Sequence, residues 1–427
     1  MATVQTPIPE VFVLWHPSCA LGETLARRIF SWLRPGNGLG PQVFYRSLKA
    51  PEDSGSGLPP PLPGESRGNN ASQTSTSSSF ANVQIILPLI DANMVADAAW
   101  REWLARLSNV SLSPHKRVFM PVALDSTAFN VPPPLRELNF LRPAGLPLPA
   151  GEGAVMDAAL NIVARSLLKQ LTEALCRFLL SGDMDPNQNA ATGVEAGSVI
   201  PKLKIFLSHA KIDGTTPARL LRDYIYSQTQ LAAFYDENDI AFGSVFARTL
   251  QNDLNSRETA ALIAVRSARY ASRPWCRREL ALFRRPRREP AAPDDSERWR
   301  LYPTLVVDDL ESGRQTSGIP ELGNSSCIRW SNDIPDQEEQ IVTTIMRDVM
   351  LAAFHSAVGA TIQANPSQII INWLPDPTSL LLIDRIRNGT QELDIIHPGR
   401  GLSGLELDIL FDFFPRLTFH SFEEVLS

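Results

Sequence analysis

The sequence lacks the features that mark secreted and membrane-spanning chains. Its 427 residues include four cysteines, with no CxxC pair and no Cys/His spacing of a zinc site. The N-terminus has no basic segment ahead of a long apolar core, so it does not match a signal peptide. No uninterrupted apolar run approaches the roughly 18 residues that span a bilayer. These absences predict reduced thiols, no metal site, no membrane partner and a cytoplasmic location.

A strong excess of charge of either sign is also missing. The formal net charge is −6, which is mild and gives no reason to expect nucleic acid or an acidic membrane surface as a partner. The hydrophobic fraction of 44% is ordinary for a globular protein and is sufficient for sizeable cores. At ~150 residues per domain, the length suggests about three domains.

Two segments lack hydrophobic periodicity. Residues 49–80 are rich in Pro, Gly and Ser, and such a composition cannot bury enough apolar surface to offset chain entropy, so a flexible insertion is predicted. Residues 181–200 have the composition of an interdomain linker. The predicted domains are therefore 9–180, 201–362 and 365–427.

The rest of the chain alternates short apolar runs with amphipathic helices, which predicts an α/β fold with a parallel sheet flanked by helices. In 201–362 the strands are KLKIFLS, LAAFYD, AALIAV, LYPTLVV and CIRW, followed by a long helix from Asp336 to Ile362. In 9–180 they are VFVLW, QVFY, VQIILPLI, RVFMPVAL and LNFL. The shared order suggests a duplication, although strand–helix alternation alone produces similar patterns.

The last block, 365–427, predicts a small α/β element of several short strands and one helix. It contains the glycine-rich run HPGRGLSG. Backbone N–H groups of such a run can hold a phosphate. A purely structural turn is the favoured interpretation.

Three motifs occur in order in the second block. IFLSHA ends the first strand, FYDENDIAFG follows the second, and YASRPWCRREL (Tyr270 to Leu280) follows the strand AALIAV. Together they resemble the signature of TIR (Toll/interleukin-1 receptor) domains, especially those of plant immune receptors and bacterial defence proteins. The resemblance implies a flavodoxin-like sheet, with a degenerate TIR-like domain in 9–180.

The resemblance also implies a function. Many TIR domains cleave the bond between nicotinamide and ribose in NAD, and others are adaptors that act by assembly. We therefore expect an NAD glycohydrolase of prokaryotic antiviral or stress defence, with NAD as substrate and no cofactor. It would be activated by self-assembly and by a partner protein or ligand. The alternatives are a catalytically silent scaffold that binds a partner through FYDENDIAFG (the BB loop), or an enzyme acting on another nucleotide.

Glu279 is the candidate catalytic residue, because it takes the family's glutamate position four residues after Trp275. A carboxylate there can stabilise the oxocarbenium-like ribose that remains when nicotinamide leaves. The alternative is a surface glutamate paired with Arg278. Trp275 and Cys276 are expected to pack against the sheet. The candidate NAD-binding residues lie at strand ends, in the BB loop and in the third motif: Ser208, His209, Ala210, Asp236, Asp239, Gly243, Ser267, Tyr270 and Trp275.

The first block lacks such a glutamate. Trp100 aligns with Trp275, which puts Leu104 in the place of Glu279 and leaves Glu102 at the wrong spacing. We therefore expect a sensor, scaffold or partner surface in this block.

A local basic run, RRPRR from Arg284 to Arg288, stands out in an acidic chain. It can contact phosphates. The favoured interpretation is a solvated helix end, where cations complement the helix dipole.

Overall fold

The computed structural model divides the chain into two compact units, Met1–Glu195 and Ala196–Ser427. Apart from Pro59 and Ser181, the predicted insertion and linker lie outside the described residues, as do the loop and helix predicted between 236 and 258. The described residues are 8–35, 40–47, 59, 82–108, 116–133, 135–149, 153–181, 204–229, 232–235, 259–289, 297–313, 318–322, 325–386 and 392–426.

The described strands of the first unit form one sheet. Its strands are β1 (Ile8–Trp15), β2 (Gln42–Arg46), β3 (Asn82–Ile90), β4 (Lys116–Phe119) and β5 (Val122–Ala123). Its helices are α1 (Gly22–Leu33), α2 (Ala92–Ala96), α3 (Ala98–Ser108) and α4 (Ala154–Ser181). The order is β2-β1-β3-β4, all pairs are parallel, and β5 also pairs with β3. The predicted strand LNFL contributes a single bridge, between Leu141 and Val122.

Hydrophobic patterning explains these elements. Strand β3 is buried on both faces from Val83 to Ile90, as its nearly continuous apolar run predicts for a central parallel strand. Helix α1 buries Leu25, Ile29 and Leu33, which recur every four residues and so lie on one face.

The described residues of the second unit form two sheets. Its strands are β6 (Lys204–His209), β7 (Ala232–Tyr235), β8 (Thr259–Arg266), β9 (Arg287–Arg288), β10 (Glu297–Arg300), β11 (Thr304–Asp309), β12 (Ser326–Trp330), β13 (Gln368–Ile371), β14 (Leu393–His397) and β15 (Leu417–Ser421). Its described helices are α5 (Thr215–Gln228), α6 (Pro274–Phe283), α7 (Gln337–Gly359), α8 (Pro377–Ile386), α9 (Gly404–Phe413) and α10 (Phe422–Leu426).

The first of these sheets is flavodoxin-like. Its strands are all parallel in the order β7-β6-β8-β11-β12, which is the 2-1-3-4-5 order of doubly wound folds. The predicted mixed α/β architecture, with parallel sheets flanked by helices, is confirmed.

The other sheet of the second unit has the order β15-β14-β13-β10-β9, with β9 antiparallel at its edge. Two predictions for this region are wrong. The sheet is not confined to 365–427, because β9 and β10 come from inside the preceding block. The described part of 365–427 also holds three helices where one is predicted. Trp299 of β10 packs in one core with Ile369 and Ile371 of β13. The segment that carries β9 and β10 therefore completes this sheet.

Helix α7 lies in the core of the second unit. Among the described helices it is the one long and apolar enough to cross a membrane by length and composition. However, 61% of its apolar stretch is buried inside the protein, where α7 contacts β8, β11 and β13. Its apolar character is therefore that of a core helix.

The run HPGRGLSG forms a capped turn between β14 and α9. Ser403 and Glu406 cap α9 reciprocally, and Arg400 pairs with Glu406. These contacts match the structural interpretation of the run.

Candidate functional site

The candidate site lies where strand order reverses in the flavodoxin-like sheet. Strand β6 has β7 on one side and β8 on the other, so the crossovers from β6 and β8 leave in opposite directions. Ligands of open α/β sheets bind outside the carboxyl ends of the strands at such a point. Ser208 and His209 end β6, and Ser267 follows β8.

Three side chains meet at this point. The Ser208 hydroxyl donates a hydrogen bond to Oε2 of Glu279 at 2.6 Å, and it lies 2.9 Å from the Tyr270 hydroxyl. Since Ser208 has one proton and gives it to Glu279, Tyr270 is the donor in the second bond. The result is a relay from Tyr270 through Ser208 to Glu279, and its donors favour the charged carboxylate.

Burial separates the roles of the three residues. Tyr270 is fully buried and Ser208 is 4% exposed, whereas Glu279 is half-buried. Burial raises the pKa of the Tyr270 phenol well above its ordinary value, so this group remains a protonated donor. Ser208 and Tyr270 thus hold Glu279 from the interior of the protein, and Glu279 is the member of the relay that has exposed surface.

Helix α6 carries Glu279, and its buried face is Cys276, Leu280 and Phe283. The expectation that Trp275 also packs against the sheet is wrong, because 54% of its surface is exposed. The buried stripe recurs at i, i+4 and i+7, and Trp275 falls outside it, on the side of the helix that bears Glu279 four residues later. The Arg278 guanidinium lies 5.4 Å from the centre of the indole ring.

The turn after β6 is closed by a residue that the motifs did not single out. Asp213 accepts hydrogen bonds from the Ser267 hydroxyl at 2.6 Å and from the Arg269 N–H at 2.8 Å. It thereby joins the ends of β6 and β8. The Ala210 carbonyl accepts from the Gly214 N–H at 2.8 Å, and a Cβ at Gly214 would lie 3.2 Å from Ala210 backbone atoms. Ser267, Ala210 and His209 are all buried here.

Asp309 is a second residue that sequence reasoning missed. It ends β11 on the same edge of the sheet and is 3% exposed. Burial raises the pKa of its carboxyl group, and the charges of Asp213 and Glu311 act in the same direction. A signal for Asp309 is present in the sequence, because this strand ends in two consecutive aspartates.

The remaining predicted site residues lie outside the described part of the chain. These are Asp236, Asp239 and Gly243 of the BB loop. Among the residues that the structure describes, no group of three or more His, Cys, Asp or Glu side chains is placed to hold a metal ion.

Comparisons with known proteins give limited support. No protein-family model and no curated protein matches the chain. A solved structure that it resembles is that of the TIR domains of the activated Roq1 resistosome directly recognising the pathogen effector XopQ. The identity is 16%, the match covers 35% of this chain and 82% of that chain, and the TM-score is 0.20. A likeness this low carries no argument about function, and the fold rests on the strand order.

The first unit has the same spacing from its third strand to the next long helix as the second unit. Helix α3 begins eight positions after the end of β3 (90 to 98), and α6 begins eight positions after the end of β8 (266 to 274). This spacing equates Met94 with Tyr270 and Trp103 with Glu279. Leu14 pairs with Pro88, which lies two residues before the end of β3. Ser208 pairs with Ala264, which lies two residues before the end of β8. The strand registers therefore equate Leu14 with Ser208.

The counterpart of the site in the first unit is apolar. Leu14, Met94 and Trp103 lie in one core cluster and are 0–2% exposed. The sequence alignment of Trp100 with Trp275 and of Leu104 with Glu279 is therefore wrong by one residue. Trp100 corresponds to the buried Cys276, and its ring packs edge-on to Trp103 at 5.2 Å.

Proposed function

We propose that the second unit is a TIR-type NAD glycohydrolase in which Glu279 is the catalytic carboxylate. The observation that carries the proposal is the relay itself. A half-buried carboxylate lies at the switch point of a flavodoxin-like sheet, and a buried Tyr270–Ser208 pair orients it.

The proposed reaction needs few side chains other than Glu279. When the bond between nicotinamide and C1 of the ribose breaks, the bonding electrons leave with nicotinamide and positive charge develops on the ribose. A fixed carboxylate stabilises that charge more in the transition state than in the bound substrate. Water then adds to C1, releasing a proton and giving ADP-ribose. The relay holds Glu279 in its orientation through the Ser208 hydroxyl.

The test is release of nicotinamide from NAD by the purified chain. Glu279→Gln keeps the shape of the side chain, loses its charge, and should lower the rate by about 10²–10³. The matched control is Glu102→Gln, since Glu102 is an exposed glutamate on α3 of the first unit and should be dispensable. A Glu279→Gln protein that cleaves NAD at the parent rate would remove the assignment. Absence of cleavage by the native chain at every concentration would favour a silent scaffold.

The exposed Trp275 beside Glu279 supports activation by assembly. A large aromatic surface left open next to a site is a typical contact for a second molecule. We propose that copies of the chain associate in the cytoplasm through this rim, in response to a partner or ligand, as effectors of prokaryotic antiviral or stress defence.

Cleavage per molecule should then rise steeply with protein concentration. Trp275→Ala should flatten that rise while leaving the free energy of unfolding nearly unchanged, because Trp275 is a surface residue. The two measurements are the specific rate across a dilution series and the mass of the complex by light scattering. Specific rates that do not depend on concentration would contradict activation by assembly and leave Glu279 in place.

A further inference from the structure

Helix α9 is apolar on the side that faces solvent. Within the helix Leu410 is buried against the sheet, whereas Leu405, Ile409 and Phe413 are 71%, 44% and 67% exposed. These three recur every four residues, so they form one stripe along the helix. A helix that packs on a sheet normally turns such a stripe toward the core. An open stripe of this length marks a contact surface for another molecule.

Carboxylates run beside the stripe. Asp408 and Asp412 are exposed and lie three residues after Leu405 and Ile409, on the same side of α9. Neither aspartate forms an ion pair with a cation of the described residues. Leu405, Ile409, Phe413, Asp408 and Asp412 are called the α9 face below. Its negative charge disfavours an anionic bilayer and suits a protein surface that is both apolar and cationic.

The second unit carries a surface of that kind around Trp275. Arg273 directly precedes α6, and Arg269 lies one 3₁₀ turn earlier. Arg278 lies over the exposed indole of Trp275. All three arginines are exposed, and none of them forms an ion pair with a carboxylate of the described residues. Trp275 and these three arginines are called the arginine rim below.

The arginine rim also has a second apolar side chain beside it. Ile212 is exposed in the turn after β6, and the next residue, Asp213, accepts the hydrogen bond from the Arg269 N–H. Trp275 and Ile212 therefore offer apolar surface next to the cations, as the α9 face does next to its carboxylates.

The basic run RRPRR lies at the other end of α6 and is not counted in the rim. Arg285 and Arg288 are exposed, as a solvated helix end requires. The Nε atoms of Arg284 and Arg287 are buried, so that interpretation does not extend to these two residues.

The α9 face and the arginine rim match in both charge and apolar character. Both belong to the second unit and both are exposed in a single copy, so neither covers the other within that copy. A second copy supplies each face with its complement. Because the two faces differ, the contact is heterologous, and it generates a ring or an open filament.

We propose that the α9 face of one copy docks on the arginine rim of the next. The proposal rests on the activation by assembly proposed above, and it names the surface that meets Trp275. Asp408 and Asp412 pair with rim arginines, while Leu405, Ile409 and Phe413 cover the indole. The contact places α9 of the neighbouring copy beside the exposed edge of the Glu279 site.

Charge reversal on each face tests the contact. The α9 variant carries Asp408→Lys and Asp412→Lys, and the rim variant carries Arg273→Glu and Arg278→Glu. Alone, each variant opposes like charges, so the concentration at which copies associate should rise at least about tenfold. The mass of the complex by light scattering across a dilution series gives this concentration. Association of either variant at the native concentration overturns the proposal.

Mixing the two variants is the decisive step. In the mixture the new lysines meet the new glutamates, and the two unchanged faces meet each other, so association should return to the native concentration. Loss in each variant alone without recovery in the mixture overturns the proposal, because the two faces then do not contact one another. The control carries Glu102→Lys and Asp333→Lys, which change the net charge as the α9 variant does at exposed residues of neither face, and it should associate like the native chain.

The apolar half of the contact has its own test. Leu405→Gln combined with Phe413→Gln should leave the free energy of unfolding nearly unchanged, because both side chains are exposed, and should weaken association. Native association in this folded variant overturns the proposed face.

Nicotinamide release from NAD by the same samples separates this contact from the proposed function. Association that is lost in Trp275→Ala and survives in the α9 variant removes the α9 contact and keeps activation by assembly. A chain that is monomeric at every concentration overturns both of these. Cleavage of NAD by that monomer would still keep the assignment of Glu279.

Discussion

The two flavodoxin-like sheets of this chain share a framework and differ at one place. In both, the strand order begins 2-1-3-4, and the segment from the third strand to the next long helix has the same length. In the second unit that framework holds Ser208, Tyr270 and Glu279. In the first unit the same positions hold Leu14, Met94 and Trp103. The fold alone therefore does not make a site.

The difference involves all three positions together. A hydroxyl or carboxylate left in a core without its partners is more costly than a fully apolar core. In the relay each buried hydroxyl has a partner, whereas Leu14, Met94 and Trp103 are apolar side chains with the Trp103 indole N–H as their one buried donor. Exchanging single residues between the two sets should therefore be unfavourable in both directions.

The largest effect should follow from placing the carboxylate in the first unit. Trp103→Glu removes a buried indole and buries a charge without partners, so the free energy of unfolding should fall by at least about 3–5 kcal/mol. Hydrogen exchange of the α3 amides measures this loss within the unit. Glu102→Gln on the same helix should change it by less than about 0.5 kcal/mol. A stable Trp103→Glu protein would break the structural equivalence with Glu279.

An intermediate effect is expected at the centre of the relay. Ser208→Ala leaves the buried Tyr270 hydroxyl and Glu279 without this link, which should cost about 1–3 kcal/mol in stability of the second unit. NAD cleavage should fall about tenfold, because Glu279 keeps its charge and loses its orientation. Urea unfolding and nicotinamide release give the two values. Unchanged cleavage in a folded Ser208→Ala protein would show that the relay does not position Glu279.

The smallest effect should come from Tyr270→Phe, which retains the buried ring. Loss of one hydrogen bond predicts about 0.5–1.5 kcal/mol in stability. Combined with Ser208→Ala, the cost should be less than the sum of the two single changes, because each single change already breaks the hydrogen bond between the two hydroxyls. Strictly additive costs in this double-mutant cycle would mean that the two hydroxyls do not interact.

Sequence reasoning succeeded where patterns are local. Apolar runs located the strands of both flavodoxin-like sheets. Motif spacing singled out Glu279 and Ser208, and the folded chain places the Ser208 hydroxyl 2.6 Å from the Glu279 carboxylate. It failed where the outcome depends on helix rotation. Trp275 was expected in the core because it is apolar, but the stripe of Cys276, Leu280 and Phe283 fixes which side of α6 is buried.

The same reasoning missed the charged strands. RR of β9 and ERWR of β10 have no apolar run, since β9 is an edge strand and Arg298 and Arg300 lie off the buried face. Such segments pair because a neighbouring strand offers backbone partners. Only the folded chain shows which strand that is.

The placement of β10 also bears on how the chain folds during synthesis. Its partner strand β13 is made later, and the buried bond between the Leu301 N–H and the Asn372 side chain joins residues 71 positions apart. Until the ribosome has synthesised and released the chain through β13, Trp299 has no core to pack into. The edge of β10 that β13 will cover is unpaired during that time. The nascent second unit therefore passes through a stage with an uncovered strand, which is the kind of surface that chaperones bind and that aggregates when left unprotected. A chain cut short before β13 would remain at that stage.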